Sequence, residues 1–375
     1  MTLACQREHF DIPGDVAYLN AAYMGPLTHE VLEAIETGAR RKVRPWEIVV
    51  EDFFEPIEEA RTLFARVIGG DADGVAIVPS VSYGVAVAAA NLPLRDGGRV
   101  ITLAEQFPSN VYGWREAAKR AGAEVVTVER TGDDWTPGVL AAIDERTDVV
   151  ALPNCHWADG TLVDLVRVGD AARVVGAKLV LDLTQSLGAR PFDVGAVRPD
   201  FVISAVYKWL LGPYSIAFLW AAPDQRDGTP IEWNWITRSD SRDFAGLIDY
   251  RDTYQPGARR YDVGEVSNFI LVPGAVAALR QTLGWGVANV EAYIAGLNDH
   301  LAARADALGL RVPPSAFRSR HLLGVRFDGD ARELGRRLAS ERIHVSVRGD
   351  AIRVAPHVYN TIADIDRLLE VLGDL

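Results

Sequence analysis

The chain has 375 residues, 49% of them hydrophobic and 24% charged, with a formal net charge of −12 and two cysteines. That is the composition of an ordinary globular protein, long enough for one large domain and a smaller one. An acidic chain without a lysine and arginine cluster is a poor ligand for nucleic acid or an anionic membrane, so neither is expected as a partner. The densest basic run, Arg40-Arg41-Lys42-x-Arg44, adjoins Glu47, Glu51 and Asp52 and reads as a solvated helix end. Cys5 and Cys155 do not make a disulfide framework. Met1 to Phe10 has no apolar core of signal-peptide length and no run reaches membrane-spanning length, so the expected compartment is the cytoplasm.

Taken in order, Ala17-Tyr18-Leu19 predicts a short strand, and Asn20-Ala21-Ala22-x-x-Gly25-Pro26 a turn. Helical spacing runs from His29 to Arg44, where Pro45 breaks it. Glu55 to Ile68 predicts a second helix, with Ile57, Leu63, Phe64 and Val67 on one side and acids in the first turn. Gly69 to Gly74 is a turn cluster without the ligand spacing of a calcium loop. Val75 to Val78 predicts a strand, Pro79 to Gly84 a small-residue turn, and Val85 to Asn91 a helix. Such a turn presents backbone amides and a positive dipole end to a phosphate. It holds neither a Walker lysine nor dinucleotide-type glycine spacing. Strands follow at Arg99–Leu103, Glu124–Val128, Asp148–Leu152 and Lys178–Leu181, with helices at Tyr112–Ala121, Pro137–Ile143 and Asp164–Val175 between them. The alternation predicts an α/β fold with a mostly parallel sheet covered on both faces.

Two apolar runs carry the chemistry. Leu179-Val180-Leu181 ends in Asp182, and Phe201-Val202-Ile203 leads to Tyr207-Lys208 and Gly212-Pro213. Continuous apolar runs are strands buried on both faces, and ligands of open α/β sheets sit at strand ends. A carboxylate and an ammonium there suit pyridoxal phosphate (PLP), held as a Schiff base on the lysine with the acid on its ring nitrogen. From these two residues alone, a structural acid and a surface lysine are an equal alternative. His156, in Asn154-Cys155-His156-Trp157, reads either as a group touching the ring or substrate, or as a hydrogen-bonded structural histidine. Ser215 to Trp220 predicts a strand returning beside the lysine. The long Trp- and Tyr-rich polar stretch from Ile231 to Arg260 suits a pocket wall or a subunit contact. Beyond Leu271 come helices, strands at Leu322–Phe327, Ile343–Val347 and Ala351–Ala355, and a last helix at Thr361–Leu372. Alternation puts Arg353 on the face opposite Ile352 and Val354.

Together, Asp182-x-x-Gln185-Ser-x-Gly188-Ala, Asp193-Val, Asp200-Phe and Tyr207-Lys208-Trp-Leu-x-Gly212-Pro213 resemble the class V aminotransferase family of PLP enzymes. So does Ile352-Arg353-Val-Ala-Pro356-x-x-Tyr359-Asn360-Thr. The resemblance implies the type I PLP-dependent aminotransferase fold. In it, residues 1–30 join the small domain to the active-site mouth, 31–268 form the large PLP-binding domain, and 269–375 form the small C-terminal α/β domain. It implies Lys208 as catalytic lysine and Val81 and Ser82 at the phosphate. Tyr207 also takes the phosphate, Phe107 stacks on the ring, Gln185 meets the ring hydroxyl and Asp182 the ring nitrogen. Arg353 takes the substrate α-carboxylate, with Arg348 and the Asn20-Ala21 backbone next in line, and His156 is a further substrate contact. It implies an α-amino-acid substrate, no metal and a homodimer in which the Ile231–Tyr261 connection crosses between subunits. Where many members have a phosphate-binding Thr after Gly264, this chain has Glu265, with Ser267 and Asn268 as substitutes. The expected reaction is of lyase or epimerase type at Cα or Cβ. A true transaminase is the alternative, and a catalytically silent PLP-fold binding module a remote one. A persulfide-carrying desulfurase is disfavoured, because residues 316–353 contain no cysteine.

Overall fold

The computed structural model describes residues 3–374. Its largest layer is a seven-stranded sheet. After the short strand β1 (Ala17–Tyr18), this sheet is built from β2 (Val75–Val78), β3 (Arg99–Leu103), β4 (Glu124–Val128), β5 (Thr147–Pro153), β6 (Lys178–Asp182), β7 (Phe201–Ala205) and β8 (Ala217–Ala221). The spatial order is β2-β8-β7-β6-β5-β3-β4. β4, β3, β5, β6 and β7 run parallel, and β8 runs antiparallel to both β7 and β2. The expected type I architecture is therefore present.

Helices cover both faces, as the continuous apolar strands require. Helix α1 (His29–Arg41) is followed by α2 (Glu55–Ile68), α3 (Val81–Asn91), α4 (Tyr112–Ala121), α5 (Thr136–Ala142), α6 (Leu165–Val174), α7 (Val194–Val197) and α8 (Leu271–Trp285). On one face Phe64, Ile68, Val139, Val168 and Leu279 pack on Leu103, Leu152, Leu181 and Phe218. On the other, Val85, Ala88 and Trp114 pack on Val100, Ala151, Val180 and Ile203. Helix α2 stops at Gly69, whose left-handed φ of 68° closes the last turn as Gly70 N–H donates to the Ala65 carbonyl at 2.8 Å.

Helix α3 begins four residues earlier than its apolar spacing suggests. Ser80 caps it, its hydroxyl accepting from the Tyr83 amide at 3.2 Å. Gly84, which reads as a turn residue, lies inside the helix. A Cβ there would come within 2.8 Å of the Ile203 side chain, so its absence lets α3 press onto β7.

A second, smaller core follows α9 (Val287–Ala305). It contains β9 (Leu323–Arg326), α10 (Ala331–Ser340), β10 (Ile343–His344), β11 (Ser346–Arg348), β12 (Ala351–Val354) and α11 (Ile362–Gly373). The run expected as one strand from Ile343 to Val347 is divided. β10 pairs in parallel with β1, whereas β11, β12 and β9 form an antiparallel sheet. The N-terminal segment is thereby stitched to this unit, and its next residues reach the large sheet.

Candidate active site

Lys208 follows β7 by three residues, in a loop held tightly at both ends. Gly212 N–H donates to the Val206 carbonyl at 2.9 Å, and Leu211 and Ser215 adopt left-handed φ values of 56° and 66°. Such conformations cost non-glycine residues about 1–3 kcal/mol each, which the surrounding packing must offset. From outside, Gly25 N–H donates to the Tyr207 carbonyl at 2.8 Å. A Cβ on Gly25 would stand 2.2 Å from the Lys208 carbonyl oxygen, so only glycine allows this approach.

The lysine enters a cavity of about 230 Å³ lined by Val81, Ser82, Phe107, Asp182, Gln185 and Tyr207. Seven expected residues, counting Lys208, thus come together from four separate stretches of chain. The Lys208 ammonium lies 5.2 Å from the Phe107 ring centre and 5.4 Å from that of Tyr207. Burial first, and then the Arg353 charge, pull its pKa down to about 8, with Asp182 opposing. Asp182 ends β6, where its carboxylate accepts from the Thr184 amide at 3.0 Å. Burial raises its pKa, and it has no ion-pair partner among the described residues. Burial also pushes the Tyr207 phenol up to about 12, so it stays a proton donor at neutral pH.

Where the α3 start lines the cavity, Ser80 satisfies the Tyr83 and Gly84 amides. The Val81 and Ser82 amides remain among the orphan donors of the helix start. The donor set therefore fits PLP: amides and a phenol for an anion, an aromatic face, an amine, and a buried acid without a cation.

Gln185 is fixed by residues distant in sequence. Its amide donates to the Ala22 carbonyl and its side-chain oxygen accepts from Trp209 Nε1, both at 3.1 Å. Behind it, His321 Nε2 meets the Gln185 carbonyl at 2.6 Å and His357 Nε2 meets the Trp209 carbonyl at 3.1 Å. Burial lowers these imidazoles to about 3 and about 4, so both are neutral supports. Sequence reasoning passed over this layer and over Thr184 and Cys155. Residues so far apart, with ordinary identities, carry no local signal.

Arg353, on β12, stands against the cavity-lining Trp157. One Nη donates to the Trp157 carbonyl at 2.8 Å, while its Nε and other Nη find no partner. Three further expectations are placed elsewhere. His156 stacks on Trp135 with centroids 5.2 Å apart, and its Nε2 lies 3.2 Å from the Ala104 carbonyl, so it is a buried support outside the cavity lining. Asn20 accepts from the Ser346 hydroxyl at 2.8 Å, and Ala21 N–H donates to the Ala355 carbonyl at 3.0 Å. Both brace the small sheet, which uses up the Ala21 amide. Ser267 donates to the Phe53 carbonyl and Asn268 caps α8, so their oxygens are engaged within the subunit.

A lysine loop, a helix start and an acid around one cavity in this sheet define the type I fold of PLP enzymes. The architecture matches a solved mutant of C-DES with glycine covalently linked to its PLP cofactor, at a TM-score of 0.89 and 19% identity over 99% of both chains. The family model described as Aminotransferase class-V matches residues 28–368, and the chain belongs to that family of PLP-dependent enzymes. It is 27% identical over 330 residues to the uncharacterized aminotransferase YcbU of Bacillus subtilis, covering 86% of this chain and 85% of that one. It is 26% identical over 383 residues to isopenicillin N epimerase of Streptomyces clavuligerus, covering 96% and 95%.

Proposed function

We propose that the chain acts on an α-amino acid through Lys208, by a lyase or epimerase type of reaction at Cα or Cβ. The observation that carries this is the Lys208 amine, buried between two aromatic rings in one cavity with the unpaired Asp182 carboxylate. Bound PLP supplies an electron-withdrawing ring that lets a proton or group leave the substrate's α-carbon.

The protein's own groups do the rest. Asp182 holds a proton on the ring nitrogen, which gives the buried carboxylate the cation it lacks. Phe107 would cover one ring face, Gln185 would meet the ring hydroxyl, and Tyr207 with the Val81 and Ser82 amides would take the phosphate. Arg353 offers its free fork to the substrate carboxylate. Lys208, with its pKa brought near 8, both delivers and removes a proton at Cα near neutral pH.

A transaminase using the same residues is the second reading. A desulfurase that stores sulfur on the protein is opposed by Cys155, the one cavity cysteine among the described residues. Its thiol donates to the Gln185 carbonyl at 3.4 Å and burial pushes its pKa to about 12, which keeps it protonated. We further propose a cytoplasmic homodimer. Trp233 and Tyr250, 69% and 93% exposed on the long connection, suit the subunit contact. No helix among the described residues is long and apolar enough to cross a membrane. The domain limits at residues 30 and 268 belong to the same proposal.

The test is to load the purified protein with PLP, reduce it with borohydride and map the modified peptide. Cofactor fixed on Lys208 is expected. A protein that takes up no PLP refutes the reading. A panel of amino acids, with keto acid, ammonia and sulfide assayed, then identifies the reaction.

A further inference from the structure

Two arginines, and not one, stand against Trp157, which lines the cavity. Arg353 and Ser346 are directly paired across β12 and β11, and Arg348 lies two residues beyond Ser346. Alternation along a strand puts Ser346, Arg348 and Arg353 on the same face of the sheet. Diagonal neighbours of this kind are about 7–8 Å apart. Both arginines use Trp157 as a support, at different places. Arg353 donates to its carbonyl, and the Arg348 guanidinium lies over its ring, 5.2 Å from the centre. The Trp157 indole is itself anchored, donating to the Glu105 carbonyl at 2.6 Å.

Neither guanidinium has a carboxylate within ion-pair distance among the described residues. Arg348 spends one Nη on the carbonyl of Val347, and its Nε is buried without a partner. Arg353 leaves two nitrogens unpartnered. Buried or half-buried like charges repel, and both charges act on Lys208. One substrate carboxylate satisfies one fork and leaves the second bare.

We propose that the substrate is an α-amino acid with a second anionic group on its side chain, of about the length of glutamate. Its α-carboxylate pairs with Arg353 and its distal acid with Arg348. This rests on the amino-acid reading of the site above and adds its substrate class.

The test uses the PLP-loaded protein and two acids without an amino group, glutarate and butyrate, titrated by calorimetry. Glutarate is expected to bind roughly tenfold to a hundredfold more tightly than butyrate, the range for an added hydrogen bond to a charged group. Arg348→Gln should remove that advantage and leave butyrate binding unchanged, and Arg348→Lys should restore part of it. L-Glutamate should likewise perturb the cofactor absorbance at lower concentration than L-norvaline. Equal binding of the two acids overturns the proposal. So does an equal loss for both in Arg348→Gln, which would mean that both arginines grip one carboxylate. In either case the PLP absorbance stays, so the reading of the enzyme survives. A protein that takes up no PLP overturns both.

Discussion

Arg61 and Arg353 are buried to the same degree, each 1% exposed, and they are treated oppositely. Arg61, on α2, ion-pairs with Asp262, bonds Glu58 at 3.0 Å and donates to the Val75 carbonyl at 2.6 Å. Asp262 also accepts from the Ile77 amide at 2.7 Å. Burial pulls the Arg61 guanidinium down, but Asp262 more than restores it and leaves its pKa above the usual value. Arg353 has one carbonyl for a partner, and burial together with Arg348 lowers it to about 9. A buried charge must be paired or cost several kcal/mol. The first site completes its pairing within the chain and pins the Tyr261–Asp262 segment to the sheet. The second, like Asp182 and Lys208, has no ion-pair partner among the described residues. Burial does not separate these two sites; the count of partners does.

That contrast can be broken by mutation. The largest effect belongs to Lys208→Ala, expected to lower turnover by about 10⁴-fold or more, the upper range for a positioned acid–base group. Its melting temperature should stay level or rise, because a buried ammonium has been removed. A variant with near wild-type turnover would remove Lys208 from the chemistry. Next comes Asp262→Ala, which leaves Arg61 with Glu58 as its one carboxylate and should destabilise the fold by about 3 kcal/mol in denaturant titration, the low end for a broken buried pair. Replacing both partners, as Arg61→Met with Asp262→Leu, should recover most of that loss. Stability unchanged in the single variant would make the network dispensable.

A smaller effect is expected for Arg353→Ala. It should weaken amino-acid binding by about 1.5–3 kcal/mol with the bound-PLP spectrum and the unfolding midpoint intact. A destabilised variant would place Arg353 with Arg61, as a structural cation. The smallest change concerns pH. Lys208 has a folded-state pKa near 8, below its ordinary 10.5. Between these values the unfolded chain binds more protons, so this group's contribution is full above 10.5 and is lost as pH falls toward 8. Trace labelling of cofactor-free protein with acetic anhydride should show Lys208 titrating near pH 8, and higher in Arg353→Ala. Inflection at the usual lysine value would show that the site does not desolvate the amine.

Much of this was legible before any fold was known. The apolar runs around Val180 and Val202 announced buried strands, and Asp182 and Lys208 at their ends left a structural and a PLP-binding pair equally open until the family resemblance was added. Arg353 was visible as a polar residue between two apolar ones on a short strand. Boundaries set by capping were less visible. Ser80 moved the start of α3 back to Val81, because an N-cap is defined by where the backbone turns and not by apolar spacing. The run at Ile343 to Val347 looked continuous and yet serves two sheets, dividing at Val345 between β10 and β11.

Sequence alone determined what is written in local pattern, the strand and helix order and the places of the acid and the lysine, while the ring role of Phe107 came from the family resemblance. Only the tertiary structure decided what depends on distances between remote residues. It turned His156 away toward Trp135, spent Asn20 on Ser346, and set His321 and His357 behind Gln185. It also placed Arg348 beside Arg353 over one tryptophan while giving Arg61 every partner it needs. The physical reason is that hydrogen bonds and Coulomb forces act over a few ångströms. Whether a charge is satisfied is therefore settled by which chain segments fold against it.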